Sequence, residues 1–195
     1  MAIAMGDEED RSGEAAVPYR NEDVGKGQPK RSELMQENGD KKFMKKAIDL
    51  SRRASIEEKS GGVFGAVIVK DGQIISEGYN QVMRTNDPTW HAEIQAIREA
   101  CKKLGTPHLD GCILYTSAEC CPMCLAAAYW AHIKKIYYGA TTQDALKYGD
   151  FADVDILDEI RKDPKDRRIT FTEVMRPEAV EIWKEFSAMP DRARY

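Results

Sequence analysis

The stretch Thr89–Ile97, TWHAEIQAI, and a later one, Thr116–Ala131, TSAECCPMCLAAAYWA, carry the reading of this chain. In the first, Asp87 or Thr89 can cap a helix that His91 opens. Ile94, Ile97 and Cys101 follow at helical spacing, and Gly105 closes the run. Leading into the second, CILYTS (112–117) reads as a short buried strand. CPMCLAAAYWAH reads as a helix with Pro122 in its first turn, where a missing backbone donor costs nothing. The two helix starts therefore present His91 with Glu93, and Cys121 with Cys124.

Two thiolates and one imidazole are an ordinary zinc set, and helix N-termini stabilise thiolates through their dipoles and unbonded N–H groups. A structural zinc site takes four protein ligands, whereas three leave a position for water. Glu93 is spaced to act beside the metal as a base, passing a proton from water to a leaving amine. H-x-E followed by P-C-x-x-C is the pattern of zinc-dependent hydrolytic deaminases. A closed structural zinc site or a redox pair is the competing reading of the C-x-x-C alone.

The surrounding sequence alternates helices and strands. Phe43, Ala47, Ile48, Leu50 and Ala54 recur at helical spacing, ended by Gly61 and Gly62. VFGAVIVKDGQIISEGY is a hairpin turning at Asp71-Gly72. KKIYYGA is a strand, short helices are expected over 142–150 and 154–160, a strand over Ile169–Met175, and a last helix over PEAVEIWKEF. This predicts a three-layer α/β domain over residues 40–195, with a mixed sheet of about five strands and helices on both faces.

Residues 1–39 read as an acidic, low-complexity tail. Ten acidic and five basic residues up to residue 40 make its net charge −5, with too little apolar surface to offset the entropy of ordering. The whole chain has 29 Lys plus Arg against 33 Asp plus Glu, net −4, which argues against a broad nucleic-acid-binding face. Five cysteines, three of them between Cys120 and Cys124, fit a reducing compartment and a metal or reactive site better than a disulfide framework. No apolar run reaches the roughly 20 residues that span a bilayer. MAIAMGDEEDR has no basic start or apolar run of a secretory signal, so the cytoplasm is expected. His108, in an apparent loop, and His132, at a helix end, have no metal spacing and read as structural or exposed. Glu119 is read as a helix cap or as a residue orienting a ligand, and Cys101 and Cys112 as small buried residues.

FGAVIVKDG, EGYNQV, NDPTWHAEIQAIREACKKLG, ILYTSAECCPMCLAAAYWA and the terminal Tyr195 together resemble the guanine deaminase family of the cytidine deaminase-like superfamily. The resemblance covers about residues 41–195. It implies Zn2+ held by His91, Cys121 and Cys124, Glu93 as the proton carrier, and hydrolysis of guanine to xanthine and ammonia. It further implies that Asn80 hydrogen-bonds the purine, that Phe64 and His91 flank its ring, and that Trp130 lines the pocket. A second acidic proton shuttle falls in YGDFADVD, best matched by Asp153, with Asp150 and Asp155 as rivals. A homodimer exchanging C-terminal segments is implied too, with Tyr195 of one subunit closing the other's site. This chain departs from the family pattern at Trp90, where a small residue is usual and where the indole could line the pocket or pack outward. It departs again at Cys120, which stands in place of proline. Alternatives within the superfamily are tRNA adenosine deamination or action on another base or nucleoside, such as guanosine, cytosine or a triazine.

Overall fold

The computed structural model describes residues 31–151 and 153–193. Most of the expected tail lies outside the described residues, and the first helix, α1 (Arg31–Arg52), begins ahead of Lys41. A π-helical turn, Arg53–Glu57, continues it. Then come β1 (Gly65–Lys70), β2 (Gln73–Tyr79), a short α2 (Val82–Thr85) and α3 (Ala92–Leu104). β3 (Ile113–Ala118), α4 (Pro122–Trp130) and β4 (Lys135–Ala140) form a β-α-β unit. α5 (Thr142–Gly149), α6 (Asp153–Arg161) and α7 (Arg176–Ala188) follow.

The strands form one mixed sheet in the order β2-β1-β3-β4. β1 pairs antiparallel with both β2 and β3, and β3 pairs parallel with β4. The alternation of side chains along β1 and β3 divides the core in two. Ala66, Ile68 and Leu114 face α3 and α4, where Ala92, Ala96, Ile97 and Ala128 cover them. Val67, Val69 and Tyr115 face α1, where Phe43, Leu50 and Ala54 cover them. The small residues on α3 allow close approach to the sheet. A Cβ added at Gly78 in β2 would stand 2.1 Å from the carbonyl oxygen of Ala92.

Among the described residues the sheet has four strands, which corrects the expected five. The missing strand is Ile169–Met175, which carries no strand structure. Its apolar side chains stand in solvent, with Ile169 76% and Val174 74% exposed. A strand needs a ladder partner for its backbone N–H and C=O groups. Alternating apolar residues supply strand propensity but no such partner, so the pattern alone is insufficient.

Candidate active site

α3 starts beyond the carboxyl end of β2 and α4 at the carboxyl end of β3, two strands that both run antiparallel to β1, so the two helix starts lie at the same end of the sheet. His91 is the N-cap residue of α3 and Cys121 the N-cap residue of α4, both with extended backbone, and neither side chain caps its own helix. Each side chain is thereby left to turn into the space between the helix ends. Cys124, one turn further along α4, is fully buried.

The His91 Nδ1 lies 3.6 Å from the Cys121 Sγ and 3.5 Å from the Cys124 Sγ. Ligands of one tetrahedral zinc, with Zn–N of about 2.0 Å and Zn–S of about 2.3 Å, stand about 3.6 Å apart. The observed separations match that value, and the donor set suits zinc, which the protein takes as its cofactor. The protein groups are also prepared electrostatically. A hydrogen bond from the Cys124 thiol, helped by His91 against the opposing effect of burial, holds Cys121 down to about 4. The same bond, with burial, pushes Cys124 up. Zinc takes cysteine as the thiolate, so a cation seated between the two sulfurs would displace the thiol proton.

Glu93 sits in the first turn of α3 and is 3% exposed. The Thr116 hydroxyl of β3 donates to its Oε1 at 3.2 Å. Burial raises its carboxyl above the usual range, with the Cys121 thiolate adding to the shift and His91 opposing it. It faces the same cleft as His91 and Cys121, a cavity of about 320 Å³.

One wall of the cleft is aromatic. The rings of Phe64 and His91 are parallel to within 1°, with centroids 6.5 Å apart. Two successive contacts at about 3.5 Å each would span about 7 Å, so a planar ring fits between them after a small opening. Phe151 packs edge-on against Phe64 at 5.0 Å and also faces the cleft.

Asn80, 3% exposed, follows β2. Its Oδ1 accepts from the backbone N–H of Gly62 at 3.3 Å and of Val82 at 3.2 Å. The carbonyl thus holds the loop, and the amide donors are what Asn80 offers to the cleft it lines. A Cβ at Gly61 would lie 1.9 Å from that Oδ1, so only glycine admits this approach.

The structure brings His91, Glu93, Cys121, Asn80 and Phe64 to one cleft. Trp130 ends α4 and is 68% exposed, away from the walls this chain alone supplies. Trp90 is half-buried. Its carbonyl accepts from the Gln81 N–H at 3.1 Å, and its indole Nε1 is buried without a protein partner. Cys120 packs beside Ile94 and Met123 under α4, and burial raises its thiol, as does nearby Glu93. Asp153 opens α6, but its side chain lies outside what is described, as does the whole of Tyr195. Glu119 lines the cleft, and its Oε2 accepts from the Thr142 N–H and hydroxyl at 3.0 and 2.6 Å, holding the start of α5. Phe151 and Met83 are cleft residues that sequence reasoning missed. An aromatic residue just past a helix-ending Gly149-Asp150 was a visible signal for Phe151, but one that fits core packing equally well.

Residues 37–140 match the family described as cytidine and deoxycytidylate deaminase zinc-binding region. Guanine deaminase of Bacillus subtilis is 49% identical over 148 residues, covering 74% of this chain and 94% of that protein. The crystal structure of guanine deaminase from Bacillus subtilis superposes with a TM-score of 0.76, at 46% identity, covering 80% of this chain and 98% of that one. A tRNA-specific adenosine deaminase of Aquifex aeolicus is 43% identical over 122 residues, covering 62% of this chain and 78% of that protein. With the His-Cys-Cys centre matching in geometry what the motif demands, this chain belongs to the guanine-deaminase-like zinc deaminases of the cytidine deaminase superfamily.

Proposed function

We propose that the protein hydrolyses guanine to xanthine and ammonia. The observation that carries this reading is the parallel Phe64–His91 slot, in a cleft that Cys121 and Glu93 also line. The similarity to guanine deaminase along nearly all of that enzyme's length supports the choice of base.

Zinc, when held by His91, Cys121 and Cys124, supplies the Lewis acidity that makes water a nucleophile near neutral pH. The purine stacks between Phe64 and His91, with the carbon bearing the exocyclic amine toward Glu93. Asn80 donates to an acceptor on the purine edge. Glu93 takes a proton from the attacking water and passes it to the ring nitrogen next to that carbon. The remaining proton of the added hydroxyl then passes to the amine by way of Glu93 or Asp153, and ammonia leaves as the carbonyl of xanthine forms. Burial serves this role, because a carboxyl with a raised pKa both accepts and returns protons readily. An apolar cleft strengthens each charge interaction.

The reading extends to assembly. The exposed apolar side chains of 169–175 and of α7 fit a homodimer in which C-terminal segments exchange, so that Tyr195 closes the partner's cleft and Trp130 and Trp90 complete its walls. The cysteines described as unpaired suit a cytoplasmic protein. A tRNA adenosine deaminase is the second reading, favoured by the Aquifex aeolicus relative. The deciding experiment is ammonia release by zinc-loaded protein from guanine, guanosine, adenine, cytosine and tRNA in parallel. Release from guanine alone supports the proposal. Release from adenosine in tRNA, with no turnover of guanine, overturns it.

A further inference from the structure

We propose that His108, Asp110 and His132 form a second divalent-cation site, suited to Zn2+, at the end of α4 opposite the catalytic centre. A ring nitrogen from each histidine and a carboxylate oxygen from Asp110 lie within 4.8 Å of one another. The His132 Nδ1 is 3.5 Å from the Asp110 Oδ2. Nitrogen and oxygen ligands of one tetrahedral zinc stand about 3.4 Å apart, from metal–ligand bonds of about 2.0–2.2 Å. The two imidazole centroids are 4.2 Å apart.

The scaffold that holds these groups is rigid. The Leu109 N–H donates to the Ala131 carbonyl at 2.7 Å, and the Ile133 N–H to that of Ala128 at 2.9 Å. Leu109 and Ile133 are buried in the core between these bonds. The loop 108–110 is thereby pinned against the residues that follow α4. His132 takes the left-handed backbone, φ 60°, of an ordinary helix stop, and the Ile133-to-Ala128 bond completes that cap, so its position is fixed by the end of α4.

A plain ion pair between His132 and Asp110 accounts for only part of this arrangement. It employs one imidazole and leaves the His108 Nε2 buried with no hydrogen-bond partner. Buried polar atoms of this kind are normally satisfied. A cation shared by all three side chains engages both rings at once. Two nitrogens and one carboxylate favour zinc over calcium or magnesium, which prefer shells of oxygen. A cavity of about 580 Å³ is lined by Asp110 and His132, with Leu125 and Tyr129, so solvent reaches two of the three side chains. The site is separate from the first. Cys121 and Cys124 begin α4 whereas His132 lies past its end, and nine helical residues rise about 14 Å.

The test is a titration of Zn2+ into full-length protein already carrying one zinc per chain, followed by calorimetry and by the imidazole signals of 1H–15N NMR. The wild type should take up one further equivalent, with the His108 and His132 resonances shifting together. Asp110→Asn and His132→Asn should weaken that event at least tenfold and leave ammonia release unchanged. Asparagine is chosen at 132 because it tolerates the left-handed backbone. Absence of a saturable second event, or a second event of unchanged affinity in both variants, overturns the proposal.

Discussion

Among the described residues, every buried side chain of the core lies before β4 and none lies after it. From α1 to α4, Ala92, Leu114 and Cys124 are sealed from solvent between sheet and helices. Beyond β4, Phe171 is 63% exposed, Ile182 64% and Trp183 70%. The first region gains its stability from burial within one chain, worth about 1.5–3 kcal/mol for a large apolar side chain. The second relies on local devices. Among them are the Thr141–Asp144 capping box at the start of α5 and the short-range ion pairs Arg161–Asp158 and Lys184–Glu181. Exposed pairs of that kind contribute little. Exposed aromatics on this scale fit the proposed homodimer, in which a second copy would cover them. The metal ligands and Glu93 all belong to the first region, while Phe151 and Ile156 lend the cleft a wall from the second.

The strongest challenge to this contrast is at the metal. Cys124→Ala, or prolonged chelation of the wild type, should remove the zinc bound by the triad and take ammonia release to background, with metal content and turnover measured on the same sample. Glu93→Gln comes next. It should retain that zinc and lower kcat by about 10²–10⁴, the usual contribution of a positioned proton carrier. A variant that keeps full turnover would mean that the proton moves by another route.

Removing residues 163–195 probes the second region directly. The shortened protein should keep its zinc, since no ligand is lost. By sedimentation, the intact protein should have a mass near twice 22.0 kDa and the shortened one should be monomeric. An intact protein that sediments as a monomer would break the exchange reading. Phe64→Leu should raise KM by about 3–10-fold with little change in kcat, because an aromatic pair contributes about 0.5–1.5 kcal/mol beyond its area. Thr141→Ala is the mildest change. Loss of the cap should cost about 1 kcal/mol of stability by denaturant melting and leave the metal untouched.

The metal centre was legible because its chemistry is local. His91 with Glu93, and Cys121 with Cys124, are each held by a single helix start, so spacing along the chain nearly determines spacing in space. The hairpin was legible for the same reason, since Asp71 and Gly72 both take positive φ at the turn the dipeptide favours. Four of the strands followed from apolar runs. The expected fifth did not form, because Ile169–Met175 has strand propensity but no ladder partner within this chain, and pairing is a tertiary property that composition does not encode.

What the amino-acid sequence determined by itself was the α/β class, the His-Cys-Cys set and the carboxylate beside it, all of them consequences of short-range periodicity and capping. The tertiary structure alone decided that Phe64 and His91 would lie parallel, that Asn80 would commit its carbonyl to a loop admitted only by Gly61, and that Phe151 would reach the cleft. It also brought His108 and Asp110 to His132, residues with no metal spacing along the chain. Each of these depends on loops folding back across the sheet, and the energy that holds them comes from burial shared among segments far apart in sequence.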